Sequence, residues 1–352
     1  MIRELPDQVR VTGIIPCRNE ADFIATCLDS VVALQHPREL LEIFVVDGMS
    51  TDGTPEIIRR YAAQYPFVRL LENPKLTLAA GWNVGLGQAS GDVICAMIAH
   101  QTYRSDYIAT SLKYLRDCDA DVVGGVLRTL PQVDNAMGRA IAAAWAHPFG
   151  VGNARFRTGA DRPMWVDNVH CGVFRRSAFE LVGGYNEDLT RSQDADLQTR
   201  LKAKGGRILL IPESFSEYYT RSRYGPFARF CVINGYWVVR PLRHGAFIRS
   251  LRHWIPLVFV ASLVALIAAA PFTPVARALL TIEVVLYLAA AVASGGQIAW
   301  RKRDLRHLVL LPLVFATLHV GYGIGAAMGA AQLLWERLRG IDPRGDTHAA
   351  AI

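Results

Sequence analysis

No CxxC pair joins the six cysteines (Cys17, Cys27, Cys95, Cys118, Cys171, Cys231), and all six precede residue 250. Zinc and a disulfide framework are therefore excluded as organising devices, and reduced cytosolic thiols are expected. A dinucleotide fingerprint is also missing. Gly85, Gly87 and Gly91 of GWNVGLGQASGD fall inside and after a helical pattern, whereas that fingerprint needs its glycines between strand and helix. Close packing explains them better. No base-stacking motif accompanies the formal charge of +7, so a nucleic-acid partner is not expected. No signal peptide is expected either, because Met1 to Arg10 is charged and its apolar continuation is short and strand-like.

Charge itself becomes scarce in the last third. Through about residue 250 charged and apolar residues alternate as in a soluble α/β protein; beyond it three apolar stretches follow, at 256–272, 275–294 and 308–334. Each approaches or exceeds the roughly 20 residues a helix needs to cross a bilayer core. Only Arg277 and Glu283 interrupt them, so three spans are expected over 255–335 rather than a buried helical domain. Gly321, Gly325 and Gly329 repeat at four-residue spacing, which suits either a closely approaching neighbour helix or flexible filler. Arg240, Arg243, Arg249 and Arg252 precede the first span, and Arg301, Lys302, Arg303 and Arg306 separate the second from the third. Both groups belong inside, which places residues 1–238 in the cytosol, 239–254 as a basic interfacial linker and the tail 336–352 outside. Arg337 and Arg339 weaken that last placement. Trp254, Trp300 and Trp335 stand at expected span ends, where indoles favour the interface, and anionic headgroups are the simpler partner for the surplus positive charge.

In the soluble part, strand patterns at 11–15, 43–46, 68–71, 93–97, 121–126 and 207–211 alternate with helical patterns at 24–32, 78–89 and 107–115, with further helix starts near Pro55 and Gln193. Residues 131–164 read as a longer excursion, helical around 140–145. The alternation predicts a mostly parallel sheet whose ligands bind beyond the carboxyl ends of its strands, in the loops starting at Pro16, Asp47 and Ile98. Asp47, at a strand end, can accept hydrogen bonds from a nucleoside or cap the turn that follows; Asp52, before Thr54 and Pro55, is the better helix cap.

The strings IIPCRNEADFIATCLDSV, IFVVDGMSTDGT, IAHQTYRSDY and the QD of TRSQDADLQTRL, in that order, resemble glycosyltransferase family 2, and within it bacterial glucosyltransferases of the succinoglycan type. The resemblance covers residues 11 to about 237. It implies a GT-A nucleotide-diphospho-sugar transferase fold, an α/β Rossmann-like domain, ahead of the transmembrane region. It assigns Pro16, Arg18, Asn19, Glu20, Asp47, Asn83 and Ala99 to the donor side. Gly48 stands where a second acid is usual. For Arg18, contact with diphosphate and plain solvation stay open. The family's cation-binding Asp-x-Asp is here Ile98-Ala99-His100, so a divalent cation, Mn²⁺ or Mg²⁺, is expected to depend on His100, for which a structural role is the alternative.

On the acceptor side the resemblance makes Asp194 the base that deprotonates the attacking hydroxyl, with Gln193, His170 and Gly172 bordering the acceptor. A structural His170, and acids that merely favour a helix N-terminus, are the alternatives. Geometry separates the two acids: Asp196 and Arg200 pair at i, i+4, which leaves Asp194 free. The segment TRSRYGPFARFCVINGYWVVR resembles the family's closing segment, with Arg221, Arg223 and Tyr224 toward diphosphate and Trp237 toward a sugar; Phe230 replaces a usual Gln. The expectation is an inverting transfer from a nucleoside diphosphate sugar, UDP-linked, to a polyprenyl-linked acceptor at the cytosolic leaflet of the inner membrane. A polyprenyl-phosphate sugar synthase and an inactive membrane scaffold are the rivals.

Overall fold

The computed structural model describes residues 4–244 and 251–341. Its contacts divide the chain into two compact units, Met1–Arg128 with Gly159–Tyr219 and Thr129–Thr158 with Thr220–Ile352. Arg249 and the tail beyond 341 lie outside the described residues. The expected boundary near 238 is replaced by a discontinuous one: the excursion after residue 128 and the segment 220–238 pack with the C-terminal helices.

The first unit begins with β1 (Val11–Cys17), α1 (Ile24–Val32), β2 (Leu41–Asp47), α2 (Thr54–Gln64), β3 (Val68–Glu72), α3 (Leu78–Gln88), β4 (Val93–Ala96), β5 (Gln101–Tyr103), α4 (Tyr107–Asp117) and β6 (Val122–Pro131). In the second unit α5 (Ala136–Trp145), α6 (Pro148–Val151) and α7 (Arg155–Thr158) follow. The chain returns to the first with β7 (Met164–Trp165), β8 (Gly172–Arg175), α8 (Arg176–Val182), α9 (Gln193–Ala203) and β9 (Ile208–Thr220). All seven residues of β1 are buried and β2 is nearly so, as a strand covered by helices on both faces requires. Each Ile or Val buried there contributes about 1.5–3 kcal/mol. Helix α1 buries Ile24, Cys27, Leu28 and Val31, one face at helical spacing.

The sheet runs β3-β2-β1-β4-β8-β6-β9-β5, with β7 on β9. The run β3-β2-β1-β4 is parallel, whereas β8 pairs antiparallel with β4 and β6, and β9 with β5 and β7. The sheet is therefore mixed rather than mostly parallel. The short β5 and β8 carry QTY and GVFR, too little sequence for a period to show. The chain's order reverses beside β1, and register places Cys17 opposite Asp47. Glycines let α3 lie close on β1: a Cβ on Gly85 would collide with Ile14, and one on Gly81 with Pro16. Gly91 packs likewise against Thr12, whereas Gly87 faces open space.

In the second unit come α10 (Tyr224–Val239), α11 (Ile255–Ala269), α12 (Pro274–Lys302) and α13 (Arg306–Leu338). Of the three expected spans, two are helices long and apolar enough to cross a membrane, α12 with 29 residues and α13 with 33. Helix α11 has 15 residues, about 22 Å at 1.5 Å each and so short of the roughly 30 Å hydrocarbon core. The chain turns at Pro271–Thr273 because Thr273 caps α12 by accepting from Ala276 N–H. Arg277 and Glu283 both find partners, the Ala270 carbonyl and the Ser262 hydroxyl. Trp300, 86% exposed, ends α12 as an interfacial indole would. The glycine stripe is packing, not filler: Cβ atoms on Gly325 and Gly329 would strike the Val232 and Tyr236 carbonyls of α10, and one on Gly235 the Tyr322 carbonyl of α13.

Candidate active site

Two strand-end loops are laced together at the end of β1 and β2. Asn19 N–H donates to Ser50 Oγ at 2.8 Å, and Asn19 Oδ1 accepts from Thr51 N–H at 2.9 Å. Glu20 N–H donates to Thr54 Oγ1 and Ala21 N–H to Asp52. Asp52 also accepts from Thr54 N–H in a turn just ahead of α2, whose N-cap is the left-handed Gly53 rather than the expected Asp52. Burial alone would raise its carboxyl, yet the bonds from Thr54 and Ala21 hold it below the usual range. Asn19 and Met49 have φ of +54° and +57°. Asn tolerates this conformation, while Met49 stores on the order of 1–2 kcal/mol of strain that the lacing must offset.

Asp47 is 5% exposed and closes its own turn, accepting from Ser50 N–H at 3.0 Å and Ser50 Oγ at 2.5 Å. The capping role is thus realised. Gly48 sits 3.3 Å by its missing Cβ from Arg18 Cβ and the Leu76 carbonyl, a space tight for an acid. Arg18 is exposed and Pro16 buried. Asn83 has its amide fully engaged, to Tyr185 N–H and C=O and to Glu187 Oε1, and so clamps α3 to the GGYNE turn. Trp82 stacks on Tyr185 beside it, at 4.6 Å between centroids.

Beyond β4, Ile98 and Ala99 are buried, with Ile98 N–H donating to Tyr103 Oη and the Cys27 thiol to the Ile98 carbonyl. Burial pushes the Cys27 thiol well up, so it is no nucleophile. His100 Nδ1 lies 2.9 Å from Glu20 Oε1. A carboxylate only accepts, so Nδ1 carries the proton and Nε2 of the neutral ring keeps the lone pair. Among the described residues no three His, Cys, Asp or Glu converge as a metal site. An imidazole N–H on a carboxylate, with the other ring nitrogen left to ligate, is the arrangement a metal-binding histidine takes, so His100 is the residue here that would hold a divalent cation.

At the start of α9, Asp196 is 3% exposed and bonds Arg200 at 2.9 Å, the expected i, i+4 pair. Arg200 continues to the Val182 and Gly184 carbonyls, so this pair is structural. Asp194 keeps 25% side-chain exposure, with His170 Nδ1 3.7 Å from its Oδ2. Left-handed Ser192 (φ +65°) sets the turn into α9, and left-handed Cys171 (φ +53°) with Gly172 (φ +118°) sets the one beside His170. Gln193 is buried, and its Nε2 has no acceptor among the described residues.

Two residues escaped the sequence reading. Gln198, fully buried, bonds Val169 N–H and C=O and so fixes the strand entry that carries His170. Tyr218 of β9 meets the rings of both His100 and His170 edge-on, at 5.3 and 5.8 Å. Alternation along β9 marks Tyr218 as buried, but only the pairing Gln101↔Tyr218 reveals its neighbours. Arg221, Arg223, Tyr224 and Trp237 belong to the second unit, where Tyr224 Oη bonds Thr317 and Trp237 meets Tyr236 edge-on.

The profile of the family described as Glycosyl transferase family 2 matches residues 12–183. The succinoglycan biosynthesis protein ExoA of Rhizobium meliloti (strain 1021) is 31% identical over 296 residues, 83% of this chain and 86% of its own length. The chain belongs to glycosyltransferase family 2. A second relative is a dolichyl N-acetyl-α-D-glucosaminyl phosphate 3-β-D-2,3-diacetamido-2,3-dideoxy-β-D-glucuronosyltransferase of Methanococcus voltae, 23% identical over 64% of this chain and 71% of its own. Among solved structures, the mannosyltransferase PcManGT of Pyrobaculum calidifontis, in complex with GDP-Man and Mn²⁺, superposes with a TM-score of 0.62 at 23% identity, covering 92% of this chain and 88% of that one. The fold is GT-A. Within this transferase the matched span holds Asp47, His100 and His170, while Asp194 lies beyond it.

Proposed function

We propose that this transferase inverts the anomeric centre, moving a sugar from a UDP-sugar to a lipid-linked saccharide at the inner face of the membrane. The observation that supports this most is the contrast on α9: Asp196 is buried and bonded to Arg200, while the Asp194 side chain is 25% exposed beside His170. Asp194 takes the proton of the acceptor hydroxyl as that oxygen bonds the anomeric carbon, and the bond from carbon to the diphosphate oxygen breaks on the opposite face. His170, 3.7 Å away, orients this carboxylate. One base suffices for inversion.

On the donor side, the Asn19, Asp47 and Ser50 lacing forms a preorganised rim for the nucleoside, and Arg18 meets the diphosphate. The mannosyltransferase is described with Mn²⁺, and His100 stands where the family resemblance implies a cation ligand; no step is assigned to a metal. Helices α12 and α13 anchor the chain in the inner membrane with the first unit in the cytosol. The basic residues Arg301, Lys302, Arg303 and Arg306 between them support that orientation. Tethering places the enzyme where a polyprenyl-linked acceptor is confined. Purified protein in detergent, given a panel of nucleotide sugars with polyprenyl phosphate or a lipid-linked saccharide, tests the reading; transfer only to bare polyprenyl phosphate would replace it with the synthase.

A further inference from the structure

Among the described residues of the first unit, six non-glycine residues have positive φ, and three of them gather where β1, β2 and β3 end: Asn19 (+54°), Met49 (+57°) and Leu76 (+63°). Asn tolerates this conformation, whereas Met and Leu are strained by it. Both also leave large apolar side chains in water, Met49 at 50% and Leu76 at 40% exposure; among the described residues of this unit only Trp165 and Leu181 do the same. Strain of this kind persists where surrounding structure over-determines it. Hydrogen bonds do so here. Gly48 N–H donates to the Cys17 carbonyl at 2.8 Å, Asn73 N–H to the Asp47 carbonyl at 2.8 Å, and Leu76 N–H to the Asn73 carbonyl at 3.1 Å. Asn73, 2% exposed, commits its side chain to the same loop: Nδ2 donates to the Thr77 carbonyl and Oδ1 accepts from Lys75 N–H.

The two strained residues meet at Gly48. Met49 follows it directly, and the Leu76 carbonyl stands 3.3 Å from where a Gly48 Cβ would be, as does Arg18 Cβ. Bare backbone at Gly48 is thus bordered by two exposed apolar residues, with Asp47 preceding it and Arg18 against it. In the free protein neither the strain nor the exposure is offset by packing of these side chains. A flat ligand with apolar faces, a polar edge and an anionic group would use every part of this arrangement. Its faces would cover Met49 and Leu76, and Gly48 would give it room. The Asp47 oxygens, each accepting one bond from Ser50, keep acceptor capacity for an N–H edge, and Arg18 supplies a cation. A nucleobase carried on a diphosphate has that chemistry, and strand ends of an α/β sheet are where such ligands bind.

We propose that Met49 and Leu76, held in left-handed conformations around Gly48, form the apolar clamp that grips the base of the donor nucleotide. This rests on the reading that the donor is a nucleotide sugar, UDP-linked. Full-length protein in neutral detergent is titrated calorimetrically with UDP, GDP, ADP, CDP and dTDP, and its thermal unfolding is followed in parallel without nucleotide. Glycine accepts the left-handed region, so Met49→Gly and Leu76→Gly remove the side chain and relieve the backbone together. A packing residue and a ligand clamp then respond in opposite ways. Each variant is expected to hold or raise the melting temperature while weakening UDP by about fivefold, and the double variant to weaken it further. Met49→Leu keeps an apolar face and is expected to retain UDP affinity within about twofold. Glycine variants that bind every nucleotide as the wild type does, or that lose affinity only alongside a lowered melting temperature, would overturn the proposal. The two readings also fail separately. Another nucleotide that binds more tightly than UDP, and is weakened in the same variants, sinks only the uridine reading. UDP as the tightest ligand with unchanged affinity in both glycine variants sinks only the clamp, and a protein that binds none of the five sinks both.

Discussion

His170 Nδ1 stands 3.7 Å from Asp194 Oδ2; left-handed Cys171 directly follows His170, and left-handed Ser192 lies two residues before Asp194. Backbone strain of about 1–3 kcal/mol per residue persists where surrounding structure fixes a conformation, as Gln198 does here for His170. His170→Gln is expected to lower kcat by about tenfold or more while leaving the KM for nucleotide sugar within a few-fold. Steady-state kinetics with varied donor distinguishes this from a loss of donor binding.

Tyr218 contacts His100 on one side and His170 on the other, and acts as a positioning residue. Tyr218→Phe keeps both ring contacts and is expected to keep the KM and kcat pattern. Tyr218→Leu removes them, raising donor KM and lowering kcat together and destabilising the fold by about 1–3 kcal/mol. A stability loss with unchanged kinetics per folded molecule would show that Tyr218 is packing alone.

The clamp between α3 and the GGYNE turn has a pH signature. The bond from Asn83, helped by Lys75, holds the Glu187 carboxyl below the usual carboxylate range. A depressed folded value means the stabilisation is present above the unfolded pKa, about 4.3, and is lost as pH falls through the folded one. Melting temperature is therefore expected to drop on acidification below about pH 4, and Glu187→Gln to lower it at neutral pH while flattening that drop.

Glycines in the two units separate by what surrounds them. Gly325→Ala would drive a methyl into the Val232 carbonyl and is expected to destabilise the full chain in detergent by about 1–3 kcal/mol. Gly87→Ala, exposed on α3 with open space around it, is expected to stabilise by about 0.5–1 kcal/mol. Thermal unfolding of both variants checks the contrast.

Much of the transferase unit was legible because its periodic signals are long. Helix α1 begins and ends where its apolar spacing does, and β1 and β2 read as continuous apolar runs. The Asp196–Arg200 pair followed from helical geometry alone. What was hidden is non-local. Tyr218 touches two histidines 118 and 48 positions earlier, and β8 lies between β4 and β6 through strands of only four residues. Asp47 in its turn shows the limit at a single position: its role as a cap and its place at a ligand loop look the same in sequence. Composition marked three apolar stretches, but Pro271–Thr273 cuts the first to 15 helical residues.

Turnover of Asp194→Asn, measured with wild-type full-length protein in parallel on the donor and lipid-linked acceptor that the panel identifies, tests the central claim most directly. The substitution keeps the shape of the side chain and removes its basicity. The account predicts a product of inverted anomeric configuration from the wild type, a fall in kcat of about 10²–10⁴-fold in the variant, and unchanged UDP affinity. An Asp194→Asn enzyme that transfers sugar at the wild-type rate would contradict it.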